Sequence, residues 1–159
     1  MSQVKDFKLK GLSTILQNLN KEIKKIEGRS LKGLIRAAIK IRYDMGKTPP
    51  LVPWDTGNLN ASWFIATSKG TVETPTPTFK DDEKMGAEHA SITQYYASSI
   101  SGTEPKLVMG FTARYALPVH EMIQGEFQKE GAGAKFFEAA LTRNRKEILA
   151  LIKKEVQIK

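Results

Sequence analysis

Leu12, Ile15, Leu16, Leu19, Ile23 and Ile26 recur at steps of three and four, a spacing that lines one face of an α-helix. After Gly28 the pattern resumes at Leu31, Leu34, Ile35, Ala38 and Ile39, and the Ser30 hydroxyl suits an N-cap. The spacing therefore predicts two helices divided at Gly28, the second running to about Met45. Pro49, Pro50 and Pro53 lack the backbone N–H and push the preceding residues toward extended geometry, so an ordered, extended linker follows. Ahead of the helices, Val4, Phe7 and Leu9 alternate before Gly11, the pattern of an edge strand or an arm.

Asp55-Thr56-Gly57-Asn58 is turn chemistry: Asp bonds its own backbone and Gly accepts positive φ. Leu59, Ala61, Trp63 and Ile65 then alternate with Asn60, Ser62, Phe64 and Ala66, which predicts a strand over 59–67 partly buried on both faces. Residues 68–82 carry Gly70, Pro75 and Pro77 without an apolar period and read as a long exposed loop, a candidate for partner contact, with Val72 starting a short strand. A helix over 81–100 and a strand over Lys106–Thr112 paired with 59–67 come next. A short helix or turn runs from Tyr115 to Ile123, then a flexible loop bears Gly125, Gly131 and Gly133. Phe136, Phe137, Ala140, Leu141, Ile148, Leu151, Ile152 and Val156 define the last helix, whose lysines suit its negative pole. No internal repeat is apparent. The order predicts one domain over 1–159 of class α/β (α+β), a small antiparallel sheet packed with long N- and C-terminal amphipathic helices. Residues 1–47 form its helical N-terminal region, 68–105 an insertion and 134–159 its C-terminal helix.

Net charge is +8, unevenly spread: +8 over residues 1–47, −4 over 48–104 and +4 over 105–159. Basic and acidic regions on one chain suit copies that dock through complementary patches. Lys25, Arg29, Lys32, Arg36 and Lys40 recur at threes and fours, so a helix continuous through Gly28 carries them as one stripe and a break splits it. The stripe is read as a DNA or subunit contact, or more simply as a solvated helix face. No cysteine is present, which removes disulfides, thiolate metal sites and cysteine nucleophiles. No apolar run approaches the ~18 residues of a membrane span, and the N-terminus lacks the apolar stretch of a signal peptide, so the chain reads as soluble, unprocessed and without a membrane partner.

The chemistry-bearing residues are sparse. His89 and His120 sit in different elements without metal-ligand spacing. His120-Glu121 lacks the second histidine of a zincin helix because position 124 is Gln. Asp81, Asp82 and Glu83 at a helix start complement the helix dipole more simply than they collect a divalent ion. Neither a Gly-x-Ser-x-Gly elbow nor a phosphate loop is present. The expectation is a binding protein with no catalytic residue, cofactor or metal.

Three segments carry a resemblance. Pro53-Trp54-Asp55-Thr56-Gly57-Asn58-Leu59-Asn60-Ala61-Ser62 resembles the Pro-x-Asp-Thr-Gly-x-Leu-x-x-Ser signature of tailed-phage neck and tail-completion proteins, also called minor capsid or head-tail joining proteins. Tyr115-Ala116-Leu117-Pro118-Val119-His120-Glu121 is similar to their Tyr-Ala-x-x-Val-His-Glu motif. Ala134-Lys135-Phe136-Phe137-Glu138-Ala139-Ala140 is similar to the Lys-Phe-Leu-Glu-x-Ala segment that opens their last helix, with Phe137 in place of leucine. The resemblance implies structural roles for Pro53, Asp55, Thr56, Gly57, Leu59, Ser62, Tyr115, Ala116, His120, Glu121, Lys135 and Phe136. Asp55 to Gly57 would launch the first strand, with Leu59 inward and Ser62 on the other face. The histidine would be held by a carboxylate or carbonyl.

It further implies a virion protein at the head-tail junction, made in the host cytoplasm. Sister copies in a homo-oligomeric ring of six or twelve, head-completion or portal-side proteins, tail-side proteins and DNA in the lumen are the implied partners. The alternative is a basic nucleic-acid-binding protein using the Lys25–Lys40 stripe. A metal-dependent nuclease built on Asp81, Asp82 or Glu121 is the remote third.

Overall fold

Helix α1, Leu12–Met45, runs unbroken through Gly28, where two helices were expected. Ser30 does not cap a new helix; its hydroxyl donates to the Ile26 carbonyl one turn back, at 2.9 Å. A single glycine weakens a helix interior by only about 1 kcal/mol relative to Ala, and the Leu, Ile, Lys and Glu residues on either side favour continuation. The computed structural model describes residues 12–75 and 83–157, so the arm expected around Val4, Phe7, Leu9 and Gly11 lies outside the described residues, as do Asp81 and Asp82. Among the described residues no helix is long and apolar enough to cross a membrane.

The C-terminal helix α5, Phe136–Val156, packs antiparallel on the second half of α1. The pairs run in opposite directions along the two helices: Asp44 with Arg143, Lys40 with Glu147, and Lys32 and Arg36 with Glu155. Gly33 lets the backbones close up, since a Cβ there would lie 3.0 Å from the Ile152 Cα. Arg143 also closes the C-terminal end of α1. It donates to the Asp44 carboxylate and, at 3.2 and 3.1 Å, to the carbonyls of Thr48 and Pro49. A cation is thereby placed on the negative pole of the helix.

The proline linker then turns back, with the Val52 N–H on the Met45 carbonyl at 3.1 Å. The glycine loop expected to be flexible is tied to this linker: the Leu51 N–H donates to Gly131 O at 2.8 Å, Gly133 N–H donates to Leu51 O at 3.3 Å, and Leu51 and Ala132 form a parallel bridge.

The strand expected over 59–67 starts late. Asn58–Ala61 forms one helical turn, α2, and only Trp63–Thr67 is strand β1. Asn58 and Asn60 are poor strand formers, and the Ser62 N–H closes the turn on the Asn58 carbonyl at 3.0 Å. The short strand expected at Val72 within the 68–82 loop is β2, Gly70–Glu73, which starts two residues earlier and folds back on β1 in a tight hairpin with a bulge between Ile65 and Ala66. Helix α3, Glu83–Ser99, and strand β3, Leu107–Phe111, fall where expected, and β3 pairs antiparallel with β1 from Trp63 opposite Phe111 to Thr67 opposite Leu107. The three-stranded sheet has the order β2-β1-β3. The class expected, α/β (α+β) with a small antiparallel sheet and two long helices, is the fold found.

All five β1 residues are buried because the sheet is covered on both faces. Trp63 and Ile65 join Ile41, Met45, Phe136 and Ala140 in the main core between sheet, α1 and α5. On the opposite face Phe64 stacks on Tyr96 of α3, centroids 5.6 Å apart. There the Thr112 hydroxyl donates to Ser62 O at 3.1 Å and is hydrogen-bonded to buried His89 Nδ1, which assigns the ring proton to Nδ1. Arg42 lies between the layers, 5.6 Å above Trp63 and 6.0 Å from Phe111, donating to the Asn60 carbonyl and side chain. Burial lowers its guanidinium pKa from the usual arginine value, with the Glu73 carboxylate opposing that shift.

Candidate functional site

The turn after Pro53 is built around Gly57, whose φ of 85° lies in the left-handed region. Its missing side chain makes room for the Trp54 indole: a Cβ at position 57 would sit 2.8 Å from Trp54 Cζ2. The side-chain hydrogen bond in the turn comes from Thr56 rather than from Asp55, with Thr56 Oγ1 accepting the Asn58 N–H at 3.5 Å. Asp55 is left exposed. Leu59 faces the core, and Ser62, expected on the other face, is buried too, with its hydroxyl donating to Leu59 O at 2.7 Å. Gly57→Ala combines backbone strain with a clash and is expected to lower stability by about 1–3 kcal/mol, read as a drop in urea midpoint.

Tyr115 caps α4, Ala116–Glu121, and lies beside this turn. Between them opens a cleft of about 540 Å³ lined by Trp54, Leu59, Tyr115, Val119, Met122 and Phe127 and by the exposed carboxylates of Asp55 and Glu126. Trp54, Tyr115 and Met122 are each more than a third exposed, so the cleft offers apolar surface to solvent. Ala116 and Val119 root α4 in the core.

The third segment clasps the second. Lys135, a left-handed residue at φ 57° that starts α5, donates its N–H to His120 O at 2.7 Å and its ammonium to Glu121 Oε2 at 2.5 Å. His120 Nδ1–H donates to Glu121 Oε1 at 2.9 Å while Nε2 accepts the Glu138 N–H at 3.4 Å, so a neutral imidazole satisfies both contacts. The ring also stands edge-on to Phe136 at 4.9 Å. The Lys135 ammonium, and then His120, hold the Glu121 carboxyl below the usual carboxylate range, and Glu121 in turn raises Lys135. This arrangement holds α4 against α5. Glu121 is occupied by that clasp; Asp81 and Asp82, its companions in the nuclease reading, lie outside the described residues.

The cations of α1 do form one continuous row, yet most of it is directed at carboxylates of the same molecule. Lys25 pairs with Glu22 at 2.6 Å and Lys40 with Glu147 at 2.8 Å, while Lys32 and Arg36 share Glu155; Arg29 completes the row. The stripe contributes to α1–α5 packing, and none of its residues lines the cleft.

Sequence reasoning passed over Trp54, Met122 and Phe127. Trp54 occupies a variable place in its motif, and the other two fall in a segment read as turn and loop. A tryptophan beside a turn glycine was the one available signal. No family model, curated protein or solved structure matches this chain.

Proposed function

We propose that this chain is a structural virion protein of a tailed phage, a subunit of the neck or tail-completion ring that joins head to tail by binding alone. One observation carries the reading: three segments far apart in sequence, each similar to a motif of that family, form a contiguous unit. The Pro53–Ser62 turn and Tyr115 flank one cleft, and His120-Glu121 is clasped by Lys135-Phe136. A scaffold that presents a rigid apolar cleft between core-anchored elements suits protein–protein contact. Its partners on this reading are sister copies, head-side and tail-side proteins, and DNA in the lumen.

Deletion of the gene from the phage that encodes it is expected to leave DNA-filled heads and finished tails unjoined in the lysate, with joining restored by the purified protein. Intact infectious particles from the deletion would refute the neck assignment. The nucleic-acid reading is favoured by the +8 charge of residues 1–47. It predicts affinity for duplex DNA falling with salt by a log–log slope of about −0.9 per phosphate contacted, measurable by filter binding.

A further inference from the structure

We propose that the N-terminal half of α1 is an arm that seats in the Trp54–Met122 cleft of a second copy of this chain. Helix α5 ends at Val156, and near that end its Ile152 and Glu155 lie against Gly33, Lys32 and Arg36 of α1. The preceding turns of α1 project beyond it, and every residue from Ile15 to Lys25 is exposed. Yet that segment is amphipathic: Ile15, Leu16, Leu19 and Ile23 form one apolar ridge, each between 43% and 63% exposed. An isolated helix of about 12–15 residues is marginal in water, so an apolar ridge on a projecting helix gains from being covered.

The chain carries its own complement. The cleft lining is largely apolar and carries two exposed carboxylates, Asp55 and Glu126, with no cation among its residues. The arm from Ile15 to Arg29 has four cations, Lys21, Lys24, Lys25 and Arg29, against Glu22 and Glu27. An arm of net +2 thus faces a cleft of net −2, and both carry exposed apolar side chains.

The two halves are unable to meet within one molecule. The cleft begins at Pro53, just past the C-terminal end of α1, whereas the ridge is near the other end of the same unbroken helix. At 1.5 Å per residue they are roughly 33–45 Å apart along a rigid rod. Ridge and groove at opposite ends of one subunit make a head-to-tail contact, which repeats into a closed ring when the rotation closes. Closure into a ring rests on the function proposed above; the contact itself rests on the ridge and the cleft.

The absence of cysteine allows a clean test in the full-length protein. Leu19 and Met122 are both about half exposed, so cysteine at either place leaves the core intact. Under mild oxidation the double variant L19C/M122C is expected to give a ladder of linked oligomers. A mixture of the single variants L19C and M122C is expected to stop at a one-to-one heterodimer. That heterodimer should form about tenfold or more faster than one between L19C and V72C, since Val72 is equally exposed on β2 but outside the cleft. Linking of L19C to itself as fast as to M122C would show arm-to-arm pairing and overturn the proposal. Equal rates for M122C and V72C would overturn it too. If the links form but the gene deletion leaves intact particles, the neck reading alone fails. If deletion separates heads from tails while no selective link forms, the arm contact alone fails.

Discussion

Phe136→Ala is expected to lower the unfolding free energy by about 3–5 kcal/mol, the range for truncating a buried aromatic residue. Phe136 is 1% exposed, with Phe111 edge-on at 5.7 Å and His120 at 4.9 Å. Its loss opens a cavity where the sheet, α4 and α5 meet, so the clasp between His120-Glu121 and Lys135 loses its floor. Against a total stability of about 5–15 kcal/mol for an ordinary domain, the variant should melt at a much lower urea midpoint or fail to fold. Phe136→Leu keeps most of the volume and serves as the folded comparison, with a loss of about 1.5 kcal/mol or less. Phe137→Leu should also be mild, because Phe137 is only half-buried, 5.9 Å from Trp63. A loss below about 1 kcal/mol for Phe136→Ala would show that this junction is not part of the cooperative core.

Asp44→Asn is expected to lower stability by about 1.5–3 kcal/mol at neutral pH, the range for hydrogen bonds to charged groups. Burial raises the Asp44 carboxyl pKa, but the hydrogen bonds from Arg143 and Thr48, with the charge of Arg143, outweigh it and leave the folded value below the ordinary one. A carboxyl with a depressed folded pKa adds stability above its unfolded pKa, and that contribution disappears as pH falls through the folded one. The gap between wild type and Asp44→Asn should therefore hold from neutral pH down to about 4 and narrow below it. Urea midpoints of both proteins measured from pH 7 to 3 would check this. A gap independent of pH would mean that the Asp44–Arg143 pair is not what holds the end of α1. The exposed pairs, Glu22–Lys25 and Glu104–Lys106 among them, also have lowered carboxyl pKa values, but solvent screening keeps their effect on stability small.

The candidate site was legible in parts. Pro53 to Ser62, Tyr115 to Glu121 and Lys135-Phe136 stood out as separate motifs, and Gly57 was read correctly as the residue with positive φ. That the first two flank one cleft, and that Lys135 reaches Glu121, depends on residues from 14 to more than 60 positions apart meeting in space, which no local pattern encodes. The stripe Lys25, Arg29, Lys32, Arg36 and Lys40 shows the limit from the other side. Its spacing was plain, but the carboxylates that most of it faces, Glu147 and Glu155, belong to a helix more than 100 residues later.

By itself the sequence determined the elements whose signal is periodic or steric: the apolar periods of α1, α3 and α5, the β-rich runs of β1 and β3, the proline stop after Met45 and the glycine turn at 57. Those follow from side-chain spacing and backbone sterics, which act within a few residues. Tertiary structure decided the rest. The short strand at Val72 found its pairing partner in the edge of β1, and the glycine loop was tied down by Leu51. It also decided which half of α1 is covered, since α5 is long enough to bury only the second half and leaves the apolar ridge of the first exposed.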